Sequence, residues 1–551
     1  MIRFQIKGVF IIVFLFLTMS CQDPNVTNAV PKGVVSSAHA LATEAGIKIL
    51  ENGGNAFDAA VAIASTLNVV EPMMSGVGGY GTILIYDSEK KEVRFLDSSG
   101  KIPLATNADL MRAPTPGYMQ NRRGAKAVST PGNVNAWYAM SEEYGKLEWS
   151  SLFETAIYLA SNGFPVSPAM EQLLAVSFNS FSDYSKSFYG KNGSPLRSGD
   201  TLRQSDLANT LRIIAKGGPD AFYKQEIAKS IDTAMRKSGG FLAYHDLEDD
   251  KAEWWDPIRI EYRGYEVYTA SPPSTAFPSL IRLGLMRMFD SLKIHNSVEY
   301  LHAFAEVSKN AYLSRLTYAG DPEIKPPPLD LLFSEDYLQK TIETINPEMA
   351  SEFKMPGASV TESMNTTHFV VADQWGNIVS ATQTLGNLFG SRIMPEGTGI
   401  WLNNSLAYCT FEPKGNPMDA IPGQRKLSGD CPTMIFIDGT PWVALGTPGG
   451  HTIGQTVPQI VMNLIDFEMS LQEAIDAPRI SFIEPSSLAV ERGISQETIS
   501  GLKKLGHHVK WVDGLGNAHA LLIHYDASNN IAGFEGAADK RGEGMAKVLK
   551  Q

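Results

Sequence analysis

The sequence predicts an α+β protein in which a helical first part and a strand-rich second part fold as one unit, and three observations predict it. Up to about Asn365 the apolar residues recur mainly at helical spacing, with a few short strands. From Thr366 onward they alternate, or run as short β-branched stretches, interrupted by two helices. No internal repeat and no Pro/Gly-rich linker divides the two parts.

The composition agrees with an ordinary folded protein. Apolar residues make up 43% and charged residues 19% of the 551 positions, enough for a large core and without low-complexity tracts. The net charge of −12 arises from 59 acidic and 47 basic residues without long single-sign blocks. That balance argues against a nucleic-acid partner, which needs a basic surface.

The first twenty residues stand apart. Arg3 and Lys7 precede an apolar run over 8–17, and Thr18-Met19-Ser20-Cys21 follows, the order of a secretory signal too short for a spanning helix. Residues 1–20 are therefore read as a lipoprotein-type signal with Cys21 as the lipidated residue, ordinary signal cleavage nearby being the alternative. Residues 21–32 read as a polar tether. The expected location is outside the inner membrane, periplasmic or at the cell surface, with the membrane touched only through the lipid. Of three cysteines, Cys409 and Cys431 then remain, too few for a disulfide framework and spaced unlike a zinc site; both are read as free and buried.

The elements follow in order. Residues 40–50 and 57–70 predict two helices, the first stopped by Gly53-Gly54 and the second alanine-rich for close packing on a sheet. The run Ser75-Gly76-Val77-Gly78-Gly79-Tyr80-Gly81 matches the glycines of a dinucleotide loop, but it follows a helix and opens a strand over 82–86. That order is the reverse of the one that seats pyrophosphate, so the glycines are read as close backbone packing. Helices are predicted over 149–160, 205–216, 220–238 and 298–316, and a strand over 258–269. Beyond Asn365 the predicted strands are 367–372, 378–384, 433–437, 442–446 and 520–525, with helices over 453–467 and 471–477.

Two stretches carry chemistry. Asn365-Thr366-Thr367-His368 feeds a polar loop into a buried strand. If the bond between Asn365 and Thr366 were cut, Thr366 would carry a hydroxyl nucleophile and a free α-amine. That amine titrates near 7.7–8.0, about neutrality, and can take the hydroxyl proton itself. Further on, Thr447-Pro448-Gly449-Gly450-His451-Thr452 is a glycine turn at a helix start, where two backbone N–H groups can meet one oxygen: an oxyanion hole in outline. The ten histidines are dispersed; His519 and His524 lie five apart on a predicted strand, on opposite faces.

Motifs in order along the chain resemble the gamma-glutamyltranspeptidase family of N-terminal-nucleophile hydrolases. They include residues 51–60 (ENGGNAFDAA), Ser75-Gly76-Val77-Gly78-Gly79, Thr130-Pro131-Gly132, Gly218-Pro219-Asp220, residues 262–268 (YRGYEVY), Thr366-Thr367-His368, Pro448-Gly449-Gly450 and Ala477-Pro478-Arg479. The resemblance implies a four-layer αββα sandwich, made as one precursor that cuts itself into a large chain, 33–365, and a small chain, 366–551, interleaved as a heterodimer. It further implies Thr366 as nucleophile, Thr384 as the threonine that hydrogen-bonds at it, Gly449 and Gly450 as the oxyanion glycines, small amide or peptide substrates, and no metal or cofactor.

The chain departs from the family where a free glutamyl group is read. Ser99 stands where the family holds the α-carboxylate with arginine; Gly386 replaces an asparagine; Ser405 and Tyr408 replace a glutamine and an aspartate; and Leu-Ser-Ser becomes Leu427-Ser428-Gly429. The stretch between Tyr408 and Arg425 is short for the family's lid. Kept chemistry with altered binding groups predicts an amidohydrolase or acyltransferase with a different acyl group. The alternative is a genuine gamma-glutamyl enzyme whose carboxylate anchor is re-sited to Lys101, Arg392 or Arg425. A non-catalytic binding lipoprotein is the third reading.

Overall fold

The computed structural model describes residues 31–289, 291–354 and 365–550; the residues expected to form a signal, Cys21 and the expected tether up to residue 30 lie outside them. Two antiparallel sheets face each other. The first runs Met545–Leu549, Gly33–Ser37, Thr367–Asp373, Ile378–Thr384, Tyr80–Asp87, Glu92–Asp97, Glu253–Trp255. The second runs Ile531–Ala538, His519–Tyr525, Thr440–Gly446, Thr433–Ile437, Tyr265–Thr269, Ile258–Tyr262. Each sheet mixes strands from before and after Asn365, so a cut there would leave one interleaved body.

Three apolar layers hold this αββα sandwich together. Between the sheets, Val34, Leu84, Phe95, Val370 and Ala372 meet Met434, Phe436, Ala444, Leu521 and Ile523. On the outer face of the first sheet, Phe369, Val371, Ile83 and Ile85 pack on the helices Ala40–Glu51 and Ala56–Val70. On the outer face of the second, Ile435, Val443 and Leu445 pack on Phe277–Met286, Val298–Tyr318 and Ile453–Ile465. The period-two side-chain alternation of a strand fixes this division. Odd residues of Thr367–Asp373 enter the helical layer and even ones enter the space between the sheets, so Thr366, His368 and Val370 share the inner face.

Local chemistry sets the element ends. Asn55 caps the helix Ala56–Val70 with a reciprocal bond to Asp58, and Asp373 Oδ2 accepts from Ala56 N at 2.9 Å, tying that helix to the strand. The glycine run does allow close packing: a Cβ on Gly79 would sit 2.5 Å from the Thr384 carbonyl oxygen. Two predicted elements divide. Residues 258–269 form a hairpin turning at Arg263 and Gly264, both at positive φ. The helix predicted over 220–238 gives its first residues to Ser205–Tyr223, which is broken at Gly218 where the stop was read, and continues as Glu226–Ser238. Cys409 and Cys431 are free and buried.

The segment leading to the Asn365–Thr366 junction is anchored on the second helical layer. His302 pairs with the Asn346 carbonyl and with His507, each at 2.8 Å. Glu306 accepts from Ser351 N at 3.1 Å, and Lys309 bridges Glu306 (2.6 Å) and the Ser351 carbonyl (2.8 Å). His302, Glu306 and His507 have the composition of a metal site, but His302 and His507 are bonded to each other and Glu306 to Lys309 and Ser351.

Candidate active site

Thr366 lies at the end of the strand Thr367–Asp373, 7% exposed, with its side chain on the inner face. Its neighbour across the ladder is the end of Ile378–Thr384, which brings in Thr384 on the same face. Thr366 Oγ1 donates to Thr384 Oγ1 at 3.1 Å; Thr384 Oγ1 donates to the Asn365 carbonyl at 2.9 Å and accepts from Gly386 N at 2.8 Å. A hydroxyl has one proton and two lone pairs, so these three bonds fill the capacity of Thr384. They join a hydroxyl to the carbonyl of the bond preceding it. Such a chain can take the proton from an attacking Thr366 Oγ and give one to the carbonyl oxygen as it gains charge.

Thr366 and Thr384 open into a cavity also lined by Gly386, Tyr80, Tyr408, Lys426, Ser428 and Gly450. In the uncut chain it holds about 30 Å³, the volume of one water molecule. Residues 425–428 cross it in extended form, bridged to Lys101 on one side and to Ser274 on the other. Alternation along that stretch sends Arg425 outward and Lys426 inward. The Lys426 ammonium, 3% exposed as a residue, lies 4.4 Å from the centroid of the Tyr80 ring and 5.6 Å from that of Tyr408. The Tyr408 hydroxyl donates to Asn387 Oδ1 at 3.0 Å, which holds the ring against the cavity. Arg315 and Asp430 complete the charged lining.

The glycine turn closes the same end. Gly449 and Gly450 have φ of 142° and 57°, and Gly450 opens a short 3-10 turn that continues into the helix Ile453–Ile465. Among the described residues neither N–H has an acceptor. The Gly449 carbonyl is held by Thr452 N and Oγ1. Two free donors at a helix start suit an oxygen that becomes negative.

Thr367, of opposite parity, points into the helical layer and donates to Glu71 Oε2 at 2.8 Å. Burial pushes the Glu71 carboxyl up to about 7, against that hydrogen bond. Glu71 lies in a second cleft, about 510 Å³, which also reaches Thr366 and contains Glu543 and Asn517. The inner-face histidines are neutral: burial holds His368 well below its ordinary value and His519 down to about 4. His368 is bonded to Thr382 Oγ1 at 2.8 Å. His519 is buried and His524 is exposed beside Glu535, on the opposite face of the same strand.

Of the other residues singled out in the sequence, Gly386, Tyr408 and Ser428 line the Thr366 cavity, and five do not. Ser99 is buried with its hydroxyl spent on Asp97 at 2.8 Å. Ser405 is buried against Ser129 at 2.5 Å. Lys101 is exposed and lines a separate cleft beside Asp97, Asp250 and Glu253. Arg392 donates to Ser180 Oγ at 2.8 Å, away from the cavity. Arg425 is committed to Glu253, Asp321 and Glu323. Sequence reasoning missed Lys426 and Tyr80. The signal for Lys426 was its place next to Arg425 in an extended stretch, where neighbours face opposite ways.

Comparisons with known proteins agree with this geometry. The family model for gamma-glutamyltranspeptidase matches residues 42–549. The chain is 34% identical over 541 residues to a glutathione hydrolase proenzyme of Bacillus subtilis (strain 168), covering 93% of this chain and 91% of that one. It is also 34% identical over 494 residues to an acylase ACY 1 proenzyme of Pseudomonas sp. (strain SE83), covering 87% of each. The crystal structure of a cephalosporin acylase from Bacillus halodurans superposes with a TM-score of 0.85 at 28% identity, over 97% of this chain and 99% of that one.

Proposed function

The chain belongs to the gamma-glutamyltranspeptidase family, an amidohydrolase and acyltransferase family of proenzymes, and on that premise we propose that it cuts itself between Asn365 and Thr366 and uses Thr366 as its nucleophile. The observation that carries this reading is the hydrogen-bond chain from Thr366 Oγ1 through Thr384 Oγ1 to the Asn365 carbonyl oxygen. In the cut, Thr366 Oγ bonds to the Asn365 carbonyl carbon, the C–N bond breaks, and the nitrogen takes the proton. Water then hydrolyses the ester, leaving a carboxylate on Asn365 and a free amine and hydroxyl on Thr366.

In turnover, the Thr366 hydroxyl attacks a substrate amide while its own amine receives the proton and passes it to the leaving amine. The N–H groups of Gly449 and Gly450 take the oxyanion, and water or a second amine accepts the acyl group. No histidine takes part: His368 is buried, neutral and already bonded.

The acyl group favoured by this reading lacks an α-amine. At position 408 a tyrosine stands in place of the family's carboxylate, and Ser99 is spent on Asp97. The test compares gamma-glutamyl and glutaryl anilides, which differ by the α-ammonium alone, in wild type and Thr366→Ala. The expected result is a higher kcat/KM for glutaryl and no turnover by the variant. Preference for gamma-glutamyl would overturn the acyl assignment and make Asp430 the partner of the amine. Turnover by Thr366→Ala would overturn the nucleophile.

Export with a lipid on Cys21 is proposed from the basic, apolar and cysteine order of the leader. Cys21→Ser should move the protein from the membrane to the soluble fraction or block its processing. A wild-type protein recovered wholly soluble, with an N-terminus beyond Cys21, would remove the anchor.

A further inference from the structure

We infer that Glu71 is a positioning residue for the Thr366 hydroxyl: by holding Thr367 it fixes where the strand Thr367–Asp373 begins, and so sets Thr366 against Thr384. This rests on the proposed role of Thr366 as nucleophile, since it concerns the aim of that hydroxyl.

The helix Ala56–Val70 packs on that strand in the opposite direction and is tied to it at both ends. Asp373 Oδ2 accepts from Ala56 N at 2.9 Å at one end, and Thr367 Oγ1 donates to Glu71 Oε2 at 2.8 Å at the other. Fifteen helical and seven strand residues, at rises of about 1.5 Å and about 3.3 Å, both span about 23 Å. The helix is buried along its whole length, so it serves as a rigid ruler for the strand.

The same helix end reaches the second threonine. Glu71 ends the helix, and its carbonyl accepts from Met74 N at 2.9 Å. The turn so closed takes Leu385 N on the Met74 carbonyl at 2.8 Å and Phe389 N on the Met73 carbonyl at 3.0 Å. Leu385 follows Thr384 as Thr367 follows Thr366. One turn over 71–74 therefore grips the residue next to each threonine, through a side chain in one case and a backbone carbonyl in the other. The 3.1 Å bond between Thr366 Oγ1 and Thr384 Oγ1 depends on the separation this turn sets.

A glutamate is a poor choice here for stability alone. A carboxylate at a helix C-terminus opposes the helix dipole, and burial pushes this carboxyl up to about 7. It also stands in the cleft that reaches Thr366. A destabilising titratable group kept beside a reacting hydroxyl has the character of a functional one.

The test follows self-cleavage of freshly translated protein on a denaturing gel. It also measures kcat and KM of the cut protein on whichever of the gamma-glutamyl and glutaryl anilides wild type turns over faster. Glu71→Met and Thr367→Val remove the bond at nearly unchanged side-chain size. Each should slow self-cleavage and lower kcat by about tenfold to a hundredfold, the range for a reacting group displaced by up to about 1 Å, with KM unchanged. The double variant should lose no more than either single one, because both remove the same bond. Glu71→Gln and Thr367→Ser keep the acceptor and the donor and should stay near wild type, which a general loosening of the fold would not allow. Glu71→Asp withdraws the carboxyl by one methylene, should lose as much as Glu71→Met, and takes its place if that variant does not fold. Wild-type rates in the Glu71→Met or Glu71→Asp and Thr367→Val proteins, losses that multiply in the double variant, or a loss confined to KM overturns the inference. Thr366→Ala separates the two claims: if it still cuts itself or turns over the anilide, the nucleophile reading fails; if it is inert while the Glu71 and Thr367 variants keep wild-type rates, Glu71 alone is dismissed.

Discussion

Thr384→Val is the substitution that isolates the first chemical step. Valine has the shape of threonine without the hydroxyl, so the side-chain volume on the inner face is kept. Three hydrogen bonds go: the acceptor for Thr366 Oγ1, the donor to the Asn365 carbonyl and the acceptor for Gly386 N. The lost donor matters most, because the Asn365 oxygen gains negative charge during self-cleavage. Removing one such donor costs about 2.7–4 kcal/mol, or about a hundredfold to a thousandfold in rate. Freshly translated protein followed on a denaturing gel should therefore convert to two chains that much more slowly in Thr384→Val, while Thr384→Ser stays near wild type. Cleavage of Thr384→Val at the wild-type rate would refute the relay through Thr384 and leave another group to polarise the carbonyl.

Two further predictions bear on other parts of the site. A Cβ on Gly449 would lie 2.6 Å from Thr452 Oγ1 at a φ of 142°, so Gly449→Ala should displace the N–H groups and lower amide turnover about tenfold or more, measured as kcat/KM, yet still cut itself, because Thr384 serves that oxyanion. Glu71, pushed up to about 7 by burial, is protonated in the native chain at pH values where it is ionised when unfolded. Its contribution to stability is whole below the unfolded value of about 4.3 and lost as pH rises through about 7. In the uncut Thr366→Ala background, Glu71→Gln keeps an acceptor for Thr367, and its stability relative to the parent should rise between pH 5 and 8 by up to about 3 kcal/mol in urea titrations. A difference that does not change with pH would refute the assignment.

The fold was legible where side-chain period alone decides it. The strands Ile378–Thr384 and Thr433–Ile437 are bounded as their β-branched and apolar runs suggest, and the parity of Thr367–Asp373 follows from the same rule. Period fails to mark a turn that keeps it, which is why residues 258–269 read as one strand although the chain reverses at Arg263-Gly264. Strands that fill sheet edges, such as Met545–Leu549, are half exposed and carry no clear pattern. The placement of the junction was legible because two adjacent threonines, a strand and a glycine turn are local features, and Thr366, Thr384 and Gly450 do line one cavity. The surroundings of the cations near the cavity were not. Arg425 is neutralised by Glu253 and Asp321, which lie 172 and 104 residues away, and no local signal reports such partners. Lys426 becomes distinct from Arg425 only once the bridges to Lys101 and Ser274 fix which way each side chain points.

The most direct measurement of the central claim is the intact mass and N-terminal sequence of the purified protein beside Thr366→Ala. Cleavage by Thr366 predicts two chains in wild type, the smaller beginning at Thr366, and one uncut chain in the variant. A wild-type protein that hydrolyses amides as a single chain, or a small chain that begins at any other residue, would contradict it.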